Sequence, residues 1–210
     1  MELKNLTVSD FAAITASDAP APGGGSVSAL CGALAASLAE MVANLTSGRE
    51  KYAPVQPQVE EVLQRYPAIR ARLLDAIDRD SKAFDLYMAA LAMPKTTDAE
   101  KAARKQAMQE GLKAAALVPM ETAETALTVF PALQLAVEQG NANAITDGMV
   151  GTMLARTAVL GAVFNVRVNL SSIHDSDFTA QLARRADQAQ ADAIAWERSI
   201  LGKVSLAGTL

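Results

Sequence analysis

The 210-residue sequence predicts an all-α protein: a bundle of long helices, some kinked at proline, forming a single domain over residues 1–210. Three observations predict this class. Half of the residues are hydrophobic but only 4% are aromatic, so the apolar mass is Ala, Leu, Val, Ile and Met, and Ala and Leu are strong helix formers. Apolar residues recur at three-, four- and seven-residue steps, and no segment alternates with the period of a strand. Small side chains bury little area each, so a compact core needs many close helix contacts or a partner subunit, and a homo-oligomer is expected.

Taken in order, residues 7–16 form a short amphipathic segment, and residues 18–26 are too rich in Pro and Gly to be helical. Residues 26–47 are almost all small or apolar, with Ser26 placed to cap the helix and Glu40 its only charge. The polar residues Ser28, Ser37, Asn44 and Thr46 favour a helix buried on all sides within an oligomer over a membrane span. Pro54 and Pro57 open the next segment, which Pro67 kinks or restarts. Leu73, Ile77, Phe84, Met88 and Leu91 then mark one face of a long helix ending near Met93-Pro94. Thr97 and Glu100 make a capping box for a helix running to Val118 and stopped by Pro119. A further helix reaches Gly140 with a kink at Pro131, and a turn at 140–143 precedes a second small, apolar helix of about 25 residues from Ala144. An amphipathic helix over residues 178–203 completes the set, with Arg184, Arg185, Asp187 and Asp192 on its wet side.

Composition excludes several function classes. A net charge of −4 without a basic stripe argues against nucleic acid, which is held through clustered cations. One cysteine, Cys31, forms no internal disulfide, and one histidine, His174, falls short of a zinc site or a Ser-His-Asp triad. No metal and no tightly bound cofactor are expected. Residues 1–10 show no basic segment followed by an apolar stretch, so cytoplasmic residence is expected.

Three features carry candidate chemistry. Contiguous Gly23, Gly24 and Gly25 before Ser26 lack the spacing and the preceding strand of a dinucleotide fingerprint. Glycines at a helix start nonetheless let a ligand approach the main chain and its free N–H groups, which favours a binding loop over a linker. On the long third helix Asp75, Asp78, Arg79, Lys82 and Asp85 are read as one polar face, whereas Asp80 lies at the edge of the apolar stripe. A carboxylate drawn out of water has a raised pKa and suits proton transfer; a buried ion pair is the alternative. Asp147 sits in the first turn of the second small-residue helix, where the dipole alone accounts for an acid but a cavity-facing role is open.

The blocks Pro22-Gly-Gly-Gly-Ser-Val-Ser-Ala29, Met41-Val-Ala-Asn-Leu-Thr46, Lys51-Tyr52 and Ile77-Asp-Arg-Asp-Ser-Lys-Ala-Phe84 resemble the cyclodeaminase/cyclohydrolase family of folate metabolism. So do Leu91-Ala-Met-Pro-Lys-Thr96, Ala116-Leu-Val-Pro119, Gly140-Asn-Ala-Asn143 with Asp147, and Asn165-Val-Arg-Val-Asn169, all in the family's order. The resemblance implies a helical homodimer with a folate cleft beside the glycine loop. It implies either opening of 5,10-methenyltetrahydrofolate by water to 10-formyltetrahydrofolate, or closure of 5-formiminotetrahydrofolate with loss of ammonia. The absence of a formiminotransferase domain tilts the choice to the cyclohydrolase, and a non-catalytic helical dimerisation module is the reading from another class. Asp80 is the expected general base and Asp147 its assistant. Substrate contacts are expected at Gly23, Gly24, Gly25, Ser26, Asn44, Lys51, Tyr52 and Asn143, with Lys51 meeting the carboxylates of the folate tail. Two departures from the family's pattern are Thr146, where Ser is expected, and Glu50, which interrupts a basic run.

Overall fold

A computed structural model describes residues 2–205, and among these there is no strand. Seven α-helices follow one another: α1 (Val8–Thr15), α2 (Gly24–Thr46), α3 (Gln56–Leu91), α4 (Asp98–Leu127), α5 (Phe130–Gln139), α6 (Ile145–Leu170) and α7 (Ser176–Leu201). The expected all-α bundle is present, and five of the seven helices correspond closely to predicted segments; α4 is longer and α5 shorter than expected.

Local chemistry sets most of the boundaries. Thr7 caps α1 by accepting from the Asp10 N–H, and Asp175 caps α7 by accepting from Phe178. The capping box of α4 forms as expected: the Glu100 N–H donates to Thr97 Oγ1, and the Thr97 N–H donates to the Glu100 carboxylate at 2.8 Å. Gly48, at φ +69, turns the chain beyond the end of α2, a left-handed conformation that L side chains rarely take.

Three boundaries differ from expectation. Gly23, not Ser26, is the N-cap of α2; the helix begins at Gly24, and the Ser26 hydroxyl turns inward to α3 instead. α3 runs unbroken through Pro67, whose exposed position leaves the carbonyl four residues earlier near water. α4 likewise continues past Pro119 to Leu127. Pro119 has no N–H for the Ala115 carbonyl, and Asn169 of α6 supplies the missing donor at 3.0 Å.

The core lies between α2, α3, α4, α6 and α7, with Leu73, Met120, Phe130, Leu133, Val159, Val163, Leu182 and Ile200 almost fully buried. Phe130 stacks on Trp196 with centroids 5.9 Å apart. At the centre α2 and α6 run antiparallel: Gly24 lies beside Asn165, Ser28 beside Gly161, Gly32 beside Ala158, and Leu38 beside Gly151. Ala35 also lies beside Gly151, and with Ala155, Ala158 and Ala162 buried along α6 the two backbones approach closely.

The prediction of small-residue helices buried on all sides does not describe the single chain. α2 leaves Leu34, Met41 and Leu45 exposed, and α6 leaves Val150, Met153, Phe164 and Val168 exposed. These residues follow steps of three, four, seven and eleven residues, all close to whole helical turns, and form an apolar face along both helices. By length and composition α2 and the segment Ala142–Leu170 would also span a membrane, but their inner faces are packed in the core.

Candidate active site

Asp80 lies where α3 passes the first turn of α2. The fully buried Ser26 hydroxyl is 3.0 Å from Asp80 Oδ2 and 3.1 Å from the Ile77 carbonyl, and its single hydrogen serves one of them at a time. Burial pushes the Asp80 carboxyl above its ordinary range, and hydrogen bonds from the Ser26 hydroxyl and backbone N–H partly offset the rise. The result is a desolvated carboxylate aimed at a helix N-terminus, a group suited to taking up and returning a proton.

The glycine loop makes that approach possible, and its three glycines are not equivalent. A Cβ on Gly25 would fall 2.6 Å from the Asp80 carboxyl carbon, closer than real contacts allow. A Cβ on Gly24 would meet the Asn165 amide at an ordinary 3.5 Å, and one on Gly23 would meet nothing within 4 Å. Gly25 is therefore required by Asp80, whereas Gly23 and Gly24 border open space.

A cavity of about 140 Å³ opens beside Asp80, walled by the glycine loop, Pro20, Ala21, Ser81, Phe84, Ala115, Asn165 and Asn169. The last two come from the final turns of α6. Asn165 Nδ2 donates to the Gly161 carbonyl at 2.8 Å, and Asn169 Nδ2 donates to the Ala115 and Asn165 carbonyls. Asn169 thereby spends both amide hydrogens and leaves its oxygen as an acceptor, while Asn165 spends one and keeps its oxygen and a second N–H. Neither asparagine stood out as a site residue from its local pattern; two amides four residues apart on an apolar helix were the available signal. Phe84, expected within the buried stripe with Met88, is instead a cavity wall, and Met88 is exposed.

Asp78 overturns the polar-face reading. It is only 7% exposed, accepts the Leu3 N–H at 2.6 Å, and leaves Oδ2 buried without a partner among the described residues. The error has a simple cause: residues 3–5 form a turn of 3-10 helix that packs over this side of α3, covering what helical spacing alone left to water.

The remaining expected residues gather at the opposite end of the bundle. Asp147 stands in the first turn of α6, eighteen residues before Asn165, which at 1.5 Å per residue is about 27 Å along the helix. Asn44 is near the C-terminal end of α2 and spends its amide on the Glu40 carbonyl. Lys51 is exposed, with its ammonium 5.3 Å from the centre of the Tyr52 ring, and the Tyr52 hydroxyl accepts the Ala142 N–H. Asn143 is exposed beside the buried Asn141, which ties this loop to Leu45 and Thr46. Within one chain the structure unites Gly23, Gly24, Gly25, Ser26 and Asp80, and separates them from Asn44, Lys51, Tyr52, Asn143 and Asp147. Among the described residues no group of three or more His, Cys, Asp or Glu side chains converges as a metal site would require.

The family model for formiminotransferase-cyclodeaminase matches residues 7–188, which takes in the glycine loop, Asp80 and both asparagines. This chain belongs to the formiminotransferase-cyclodeaminase family. It is 37% identical to a methenyltetrahydrofolate cyclohydrolase of Methylorubrum extorquens over 90% of its own length and 91% of that protein's. It is 38% identical to the formimidoyltransferase-cyclodeaminase of Sus scrofa over 79% of this chain, but spans only 30% of that longer protein. Its fold matches the crystal structure of a formiminotetrahydrofolate cyclodeaminase from Thermotoga maritima with a TM-score of 0.85, 29% identity and 96% coverage of both chains. The family resemblance read from the sequence motifs is thus established, and the all-helical fold with it.

Proposed function

We propose that this family member is a methenyltetrahydrofolate cyclohydrolase, acting in the cytoplasm on a folate substrate without a tightly bound cofactor. The observation that carries the reading is the desolvated Asp80 carboxylate, held by Ser26 beside a small cavity, in a chain matching a cyclohydrolase along nearly the whole of both lengths. Asp80 takes a proton from water as its oxygen adds to the cationic methenyl carbon. The bond from that carbon to N5 then breaks, N5 receives the proton from Asp80, and the remaining hydroxyl proton leaves as the formyl C=O forms. The free N–H groups of Gly24 and Gly25 stand ready to meet the oxygen in the tetrahedral intermediate.

A cavity of about 140 Å³ is small beside the roughly 300–1,000 Å³ of typical ligand sites, so it suits the reacting end of the folate rather than the whole molecule. The rest of the site is supplied by a second copy. A two-fold axis across the exposed faces of α2 and α6 sets the Asp80 end of one subunit against the partner's opposite end. That pairing brings the partner's Asn44, Lys51, Tyr52, Asn143 and Asp147 to the substrate and covers the apolar face.

The cyclodeaminase reading is favoured by the structural match to the Thermotoga maritima enzyme and uses the same carboxylate to expel ammonia. Purified protein decides between them. Loss of the methenyl chromophore, without ammonia release from the formimino substrate, supports the cyclohydrolase; ammonia release in its place supports the alternative, and neither activity sinks both.

A further inference from the structure

Resting on that reading, we propose that Asn165 makes the cavity selective for charge: with Asp80 it holds the cationic amidinium of the substrate and releases the neutral product. None of the lining residues is basic. The polar groups they offer include one carboxylate and the amide oxygens of Asn165 and Asn169; Asn169 spends both amide hydrogens on backbone carbonyls and Asn165 spends one. The N-terminal end of α2 brings about half a positive charge to the cavity, and the C-terminal end of the antiparallel α6 brings about half a negative one. These cancel, which leaves the full charge of Asp80 to set the sign. Phe84 adds an aromatic wall of the kind that attracts a cation.

A five-membered amidinium fits this set, because its positive charge is spread over N5, the methenyl carbon and N10. Addition of water and ring opening abolish that charge, so the same contacts bind the formyl product weakly. A protonated formimino group is also an amidinium, so the substrate-binding half of the inference extends to the cyclodeaminase activity, whose product keeps the charge. Asn165 is the residue to test because its amide bonds only within its own helix, whereas Asn169 also ties α6 to α4.

The experiment compares the methenyl substrate with 5,10-methylenetetrahydrofolate, which has the same fused ring without the charge, used as a competitive inhibitor. The cation carries no N–H, so the contact is between the amide dipole and a delocalised charge out of water, and its loss in Asn165→Leu is expected to raise KM for the cation about tenfold. The turnover number should stay within about twofold, because a ground-state contact is lost, and the inhibition constant of the neutral ligand should not move. Asn165→Asp, which keeps the acceptor and adds charge, should bind the cation at least as tightly as the parent and the neutral ring more weakly. Equal weakening of both ligands, a fall in turnover with unchanged selectivity, or no change in either ligand overturns the proposal while leaving the cyclohydrolase reading intact. If the parent neither opens the methenyl ring nor binds its neutral counterpart, the functional reading fails and this inference with it.

Discussion

Changing Asp80 to Asn keeps the shape of the side chain and removes its capacity to take a proton. General acid–base groups contribute roughly a hundred- to ten-thousand-fold, so turnover should fall by at least about two orders of magnitude. The same change is expected to stabilise the fold at neutral pH. Because burial raises the Asp80 pKa, the folded protein holds this proton at a higher pH than the unfolded chain does. Stability therefore falls as pH rises from the ordinary carboxyl value through the raised one, and the ionised group is a liability above it. Thermal midpoints measured from neutral to acid pH should show the Asn variant ahead at neutrality and the gap closing as pH falls; a variant behind at neutrality would contradict the burial argument. Asp78→Ala should behave in the opposite sense, losing about 1–3 kcal/mol by orphaning the Leu3 N–H while the folded fraction turns over at the parental rate. Asp80 was legible from its place at the edge of an apolar stripe. Asp78 was not, because the segment that covers it lies more than seventy residues away in sequence and local periodicity carries no trace of it.

Proline was the least readable signal among the helices. The rule that an interior proline breaks a helix rests on the lost hydrogen bond, and in α4 that loss is repaired from outside by the Asn169 amide on the Ala115 carbonyl. A local reading has no access to a donor fifty-four residues downstream, whereas the capping box at Thr97, which involves only neighbours, was legible. The repair is testable as a double-mutant cycle. Asn169→Leu should cost about 1–3 kcal/mol in the parent, and clearly less once Pro119→Ala has returned a backbone N–H to the Ala115 carbonyl. Urea unfolding of the four proteins measures the coupling, and strictly additive costs would show that Asn169 stabilises α4 in some other way.

The composition foretold that apolar helix faces would need a partner, and the single chain does expose such a face along α2 and α6. Which residues converge on one site was not legible, because helical spacing says nothing about the two ends of a bundle. The proposed composite site makes a quantitative prediction. Asp80→Asn and Asp147→Asn homodimers should both be impaired, but a heterodimer of the two carries one site with both changes and one with neither. Random reassociation makes half of the dimers mixed, with half of their sites intact, so activity should recover to roughly a quarter of the parent. No recovery after verified subunit exchange would place Asp80 and Asp147 in separate roles. The alanine seam between α2 and α6 has a consequence of its own, since Ala158 and Gly32 meet near its middle and the cavity opens at one end. The small residues along this seam act as a spacing gauge: they set the distance between two rigid rods, and that distance sets the width of the mouth between the glycine loop and Asn165. Enlarging Ala158 to Leu is therefore a change of calibre, felt as lost substrate affinity far from the altered residue, where trimming a large core side chain would be felt locally as a hole.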